Sequence, residues 1–381
     1  MSLDFYIEKN LKLKPETQTT SNASRKIRAV IIDDSALVRT IVADLLQSDG
    51  RIDVVATGKT GVDCINLVEQ LKPDIITLDV EMPVMDGLTA LRELSKKGIK
   101  VAVIMLSVLT QHGAKATFQA LELGAIDFVP KPSSAIKMDT DEIGTLLRTK
   151  IADYFEHNIE ITGIKSRVKV KVGNFQENRK QVIRAVGIGT STGGPNALHS
   201  LFKQIPESFE LPIFVVQHMP AGFTKAFAER LDEISSIKVK EAEHGEIVKS
   251  GTAYIAPGNY HMKIHRKDLN ISIELEQGQL VNGHRPSIDV TFDSLNVCYG
   301  ASLLAVIMTG MGKDGAESIK KLKEIGSPTI AQDEKTSVVF GMNRQAIDMG
   351  GIDHVVPLND IVPQMIRIIK ERGSYGQNIG S

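Results

Sequence analysis

From Ala29 onward the chain repeats one unit: a short apolar run, a turn, then apolar residues at helical spacing. Ala29 to Ile32, Val54 to Ala56, Ile75 to Leu78, Val101 to Leu106 and Ile126 to Val129 read as strands. Between and after them, Ala36 to Leu46, Val62 to Leu71, Leu88 to Leu94, Ala116 to Leu123 and Ile143 to about Phe155 read as helices. In the first of these, Leu37, Ile41 and Leu45 give one apolar face. Pro73 and Gly124 stop two of the helices. Strands that are apolar along their whole length bury both faces only in a parallel sheet covered by helices on either side. The expected fold is therefore α/β, with one such unit over residues 27–150.

A second alternating region starts near Val182. Val182 to Ile188, Ile213 to Gln217, Leu303 to Met308 and Pro328 to Ala331 read as strands. Ala197 to Ile205, Phe223 to Leu231, Ala316 to Ile325 and Ile361 to Ile369 read as helices. Tyr254 to Ala256 and the stretches near His261 and Leu269 to Leu275 suggest a small antiparallel addition. Residues 183–374 are expected to form this second, doubly wound Rossmann-like domain. Residues 151–182 are polar and locally basic, and are expected to be a linker, although Val168, Val170 and Val172 alternate with charges as an edge strand does. Residues 1–26 are expected to be a flexible lead-in.

A chain of 381 residues suits two or three domains at ~150 residues each. Its 45 basic and 46 acidic side chains nearly cancel, which argues against a whole-protein attraction to nucleic acid or to an anionic membrane. Cys64 and Cys298 lie far apart and away from other metal-ligand types, so a disulfide framework is not expected and a cytoplasmic setting is. No secretory signal pattern and no apolar run near the ~20 residues of a membrane span are visible. A monomer without membrane insertion is expected.

In an open parallel sheet, ligands bind outside the carboxyl ends of the strands. In the first domain those ends carry Asp33 and Asp34, Asp79, Ser107, and Lys131. Singly, each aspartate also reads as a helix cap or a solvated loop residue. Together they make a carboxylate cluster suited to Mg²⁺, which prefers hard oxygen ligands. Asp79 can then act as a nucleophile that accepts a phosphoryl group, with Ser107 and Lys131 placed to meet the new oxygens.

In the second domain, strand 182–188 runs into Gly187-Ile188-Gly189-Thr190-Ser191-Thr192-Gly193-Gly194-Pro195. A dinucleotide-binding fingerprint would need glycine at 192, where Thr192 stands, so a nicotinamide oxidoreductase is disfavoured. Gly189 to Gly193 instead fits Gly-x-Ser-x-Gly, a tight strand-to-helix turn that exposes a serine hydroxyl. A serine nucleophile needs a histidine base and an orienting carboxylate. His218 ends the next apolar strand, and Asp314 lies in the glycine-rich loop Met308 to Gly315. The order Ser191, His218, Asp314 differs from that of the α/β-hydrolases. Taken alone, His218 could be a structural histidine and Asp314 a turn residue.

Residues 27–150 resemble the receiver domains of two-component response regulators. The resemblance rests on Ile31 to Ser35, Leu78 to Gly87, Met105 to Ser107 and Phe128 to Pro132. It implies a flavodoxin-like (βα)₅ fold, an acceptor at Asp79, Mg²⁺ held by Asp33, Asp34 and Asp79, and a switch at Ser107 and Lys131. Phe128 is the nearest match to the family's switch aromatic. Residues 183–372 resemble the catalytic domain of chemotaxis-type protein-glutamate methylesterases, which also deamidate glutamine. The motifs are Gln217 to Thr224, Ala253 to Gly258, His284 to Asp289, Met308 to Gly315 and Val338 to Met342.

This second resemblance implies Ser191 as nucleophile, His218 as base and Asp314 as orienting acid, with no cofactor for the ester reaction. It also implies an oxyanion hole from amides near Met311 and His218, with Thr192 beside it, and pocket positions of unassigned role at His284 and Arg285. The implied phosphodonor is a chemotaxis histidine kinase. The implied substrates are methyl-accepting chemotaxis receptors, and no nucleic-acid partner is expected.

Overall fold

The computed structural model describes residues 25–108, 111–132, 140–160, 181–268 and 270–373. The first domain contains β1 (Ile27–Ile32), α1 (Ala36–Gln47), β2 (Ile52–Gly58), α2 (Gly61–Leu71), β3 (Ile75–Asp79), α3 (Gly87–Lys96), β4 (Ala102–Ser107), α4 (Gln111–Glu122), β5 (Asp127–Pro130) and α5 (Thr140–Glu160). The strands form one parallel sheet in the order β2-β1-β3-β4-β5. Strand order reverses between β1 and β3, so the carboxyl ends of those two strands open onto a crevice.

Local sequence sets the helix starts. Ser35 caps α1 by accepting from the Val38 amide, and Asp86 caps α3 through Thr89. Thr60 and Asp63 make a reciprocal capping box on α2. In α1 the buried stripe is Val38, Val42 and Leu46, while Leu37 is exposed. The expected Leu37, Ile41, Leu45 face has the same spacing but lies one residue, or about 100°, around the helix. Helix α5 runs to Glu160, past the expected end near Phe155. Ile143, Leu147 and Ile151 recur every fourth residue against the sheet, and Asp141 and Glu142 favour its N-terminus. The Val168 to Val172 alternation lies outside the described residues.

The second domain contains β6 (Ala185–Thr190), α6 (Gly194–Phe202), β7 (Ile213–Gln217), α7 (Thr224–Ile234), β8 (Lys238–Glu241), β9 (Thr252–Ile255), β10 (His261–Lys267), β11 (Asn270–Glu276), α8 (Ile288–Tyr299), β12 (Leu303–Ile307), α9 (Ala316–Glu324), β13 (Thr329–Gln332), α10 (Met342–Asp348), β14 (His354–Val356) and α11 (Ile361–Arg372). Seven strands form a parallel sheet in the order β14-β13-β12-β6-β7-β9-β8. The hairpin β10–β11 is antiparallel, as expected. Tyr254 to Ala256 is not part of that addition: β9 pairs in parallel with β7 and β8, and its residues are buried. An apolar run buried on both faces belongs inside a sheet rather than on a solvated hairpin.

The two domains meet through α4 and β5 on one side and α6 and α7 on the other. Phe118 packs on Phe227 with ring centroids 5.2 Å apart, and Phe128 on Phe223 at 4.6 Å. Asn196 Nδ2 donates to the Ala125 carbonyl at 3.3 Å. The Arg230 guanidinium donates twice to Glu122 Oε1, at 2.9 Å from Nε and 2.7 Å from Nη2. One apolar cluster runs continuously through this contact.

Candidate active site

Strand β6 lies between β7 and β12, so its carboxyl end is flanked by theirs. Ser191 follows β6 directly, with its amide donating to the Thr309 carbonyl at 3.0 Å. Gly193 then takes φ +75°, a conformation in which a side chain is strained, and α6 begins at Gly194 with Pro195 in its first turn. A Cβ at Gly193 would also come within 2.5 Å of Val338 Cβ. This sharp turn leaves the serine hydroxyl at the sheet edge, as the sequence pattern predicts.

His218 follows β7. Its Nδ1 lies 3.1 Å from Ser191 Oγ and its Nε2 lies 2.8 Å from Asp314 Oδ2. Asp314 follows β12 and is almost fully buried. Its carboxylate sits at the start of α8, accepting from the Ile288 amide at 2.7 Å, the Asp289 amide at 3.2 Å and Ser287 Oγ at 2.8 Å. Asn282 Nδ2 adds a bond at 2.9 Å. Burial alone would raise the Asp314 pKa. The hydrogen bond and charge of His218, with the donors from Asn282 and Ile288, outweigh that and hold it well below the usual carboxylate range. Asp314 is thus a fixed anion bonded to the ring edge opposite the serine.

Of the amides expected to stabilise an oxyanion, that of His218 is already committed, donating to the Thr190 carbonyl at 3.2 Å. The parallel β6–β7 register imposes this bond. The amides of Thr192 and Met311 have no partner among the described residues. Thr192 follows the serine, and the Met311 loop runs against it, since a Cβ at Gly310 would lie 2.7 Å from Ser191 Cβ. Arg285 donates to the Gly278 carbonyl at 2.5 Å and to Asn259 Oδ1, bonds that pin its loop. His284 stacks on His218.

At the first sheet, Asp33, Asp34 and Asp79 offer oxygens within 4.8 Å of one another. Lys131 Nζ lies 2.6 Å from Asp79 Oδ2 and 3.0 Å from Asp33 Oδ2. Burial pushes Asp79 up to about 6, against the pull of Lys131. A cavity of about 490 Å³ lies over this group, lined by Asp34, Asp79, Glu81, Met82, Val108 and Lys131 among others. The Ser107 hydroxyl turns away from it: it accepts from Thr117 Oγ1 at 2.7 Å and lies 3.3 Å from the Gly113 carbonyl, both on α4.

Residues 186–365 match the family model described as CheB methylesterase, and residues 29–141 match the response regulator receiver domain. The protein-glutamate methylesterase/protein-glutamine glutaminase of Pyrococcus abyssi is 42% identical over 360 residues, spanning 93% of this chain and 98% of its own. That of Archaeoglobus fulgidus is 44% identical over 348 residues, spanning 90% and 98%. The chain belongs to the CheB methylesterase family.

In this CheB-family chain the receiver comes up to the Met311 loop, which runs against Ser191. A cleft of about 390 Å³ is lined by Asp153 and Glu156 of α5 on one wall and by Met311, Gly312, Phe340 and Arg344 on the other. The Lys150 ammonium, also on α5, is near enough to disfavour charge on His284. Lys150 is paired at 2.5 Å with Asp127 Oδ2, and both are buried. Among the described residues no helix is long and apolar enough to cross a membrane. Sequence reasoning assigned no role to Gln217, Asn282 and Ser287, which brace the triad through hydrogen bonds. Gln217 and Ser287 lie inside the motifs at 217–224 and 284–289, and Asn282 lies two residues before the second of them.

Proposed function

We propose that this chain hydrolyses glutamate γ-methyl esters, and deamidates glutamines, on methyl-accepting chemotaxis receptors, with Ser191 as nucleophile. The observation that carries this is the unbroken chain from Ser191 Oγ through His218 to Asp314. Ser191 attacks the γ-carbonyl carbon as His218 Nδ1 takes the hydroxyl proton. The tetrahedral oxyanion faces the amides of Thr192 and Met311. As the carbon–oxygen bond breaks, His218 returns the proton to the leaving methoxide, giving methanol. Water then attacks the acyl carbon, again losing a proton to His218, and Ser191 leaves with that proton. The products are methanol and a glutamate side chain. With glutamine the leaving group is ammonia. Throughout, the Asp314 carboxylate holds the ring and offsets the charge of the imidazolium.

The receiver regulates this reaction through Asp79, phosphorylated by a chemotaxis histidine kinase. Asp33, Asp34 and Asp79 suit Mg²⁺, which when bound there neutralises phosphoryl charge. In the resting form the receiver sits over the serine cleft. A phosphoryl group on Asp79 gives the Ser107 hydroxyl and Lys131 new acceptors. Turning Ser107 toward it breaks the bond from Thr117, and α4 carries that change to Phe118 and Glu122 at the domain contact. The population then shifts toward an open form. The test is methanol release from methylated receptor membranes with and without a small phosphodonor. The wild-type chain is expected to be stimulated and Asp79→Asn not. Equal stimulation of both would sink the regulatory reading.

A further inference from the structure

His284 takes part in none of the steps above, yet its ring lies flat on that of His218. The centroids are 3.6 Å apart and the planes 11° from parallel. Residues 281–289 build this stack. Val281 and His284 exchange backbone hydrogen bonds at 3.1 and 2.9 Å. Arg285 anchors the turn from outside through the Gly278 carbonyl and Asn259. The same segment supplies Asn282, Ser287 and the Ile288 amide to Asp314. One short stretch therefore grips the face of the histidine and both oxygens of the aspartate behind it.

The charge on the two rings differs during reaction. Burial, then the charge of His218 and of Lys150, push His284 down to about 3, against the opposing pull of Asp314. Near neutral pH it is an uncharged aromatic face. His218 becomes a cation when it takes the serine proton, and only then does that face attract it, by an amount equivalent to about 2- to 30-fold in rate. An interaction present in the transition state and weak in the ground state raises kcat and leaves KM nearly unchanged.

We propose that His284 is a positioning residue for ester hydrolysis: its stacked ring keeps the His218 imidazole between Ser191 and Asp314 and stabilises it as it becomes an imidazolium. The proposal rests on the reading of His218 as the base.

The experiment measures kcat and KM for methanol release from methylated receptor membranes, with full-length His284→Ala, His284→Phe, His284→Lys and His218→Ala chains whose thermal midpoints are recorded. The alanine variant should lose ~10- to 30-fold in kcat with KM within ~2-fold of wild type. Phenylalanine, which restores a neutral ring, should recover most of that loss. Lysine, which fills the space with a charge, should be as slow as alanine or slower. The phenylalanine–lysine pair decides the matter should the alanine chain fail to fold. A wild-type kcat in the alanine variant, or equal kcat in the phenylalanine and lysine variants, would overturn the role of His284 while a dead His218→Ala leaves the base assignment standing. A His218→Ala chain with normal turnover overturns the base assignment itself, and this proposal with it.

Discussion

Gln217 Nε2 donates to the main-chain carbonyls of both Ser191, at 3.0 Å, and His218, at 2.9 Å. One buried amide therefore ties the end of β6 to the end of β7, and fixes the hydroxyl relative to the imidazole. Each bond contributes ~1 kcal/mol net, and misplacement of a reacting group by a fraction of an ångström adds to that in the rate. Gln217→Leu, which keeps the bulk and removes both donors, should lower kcat for methanol release by ~10- to 100-fold while the chain stays folded by circular dichroism.

The Glu122–Arg230 pair bridges the two domains with partial exposure on both sides, so its contribution is small, on the order of 0.5–1 kcal/mol. Glu122→Ala should raise the turnover measured without phosphodonor by ~2- to 5-fold. Combining Glu122→Arg with Arg230→Glu should bring it back toward the wild-type value. Raising the salt concentration should shrink the difference between wild type and the alanine variant.

Asp153 is buried on α5, and burial with the neighbouring charges of Glu156 and Asp127 pushes its pKa up to about 7, against Lys150 and Arg51. The folded chain thus keeps this proton to about pH 7, whereas the unfolded chain releases it near 3.8. Between those values the folded state binds more protons, so this group's contribution to stability is full below about pH 4 and is lost as the pH rises to about 7. Asp153→Asn cannot ionise. It should match wild type in thermal unfolding near pH 4 and exceed it by ~4 kcal/mol, or several degrees, at pH 8.

The two strand-end groups were legible because each apolar run gives way to glycine or polar residues within three positions of the residue in question. Asp79 ends β3, while Ser191 and His218 directly follow β6 and β7. Parallel strands bring such ends to one edge whatever the loops do. The helix that continues from the segment gripping the base was not legible. Helix α8 is rich in β-branched and aromatic residues and has no helical stripe plain enough to read from sequence. It is held as a helix by burying Phe292 and Leu295 beneath the sheet. The buried face of α1 escaped for a different reason, since two stripes share one period and only the sheet chooses between them. For β9 the direction was hidden, because strand direction is set by the path of the 242–251 connection and not by the run itself.

The central claim is that the Ser191 hydroxyl breaks the methyl ester. Methanol release from methylated receptor membranes by wild type and by Ser191→Ala, at equal concentrations and with phosphodonor present, measures it directly. The account predicts a loss of roughly 10⁶-fold in turnover, the scale expected when a nucleophile is removed from a set that acts as a unit. A Ser191→Ala chain that releases methanol at the wild-type rate would contradict it.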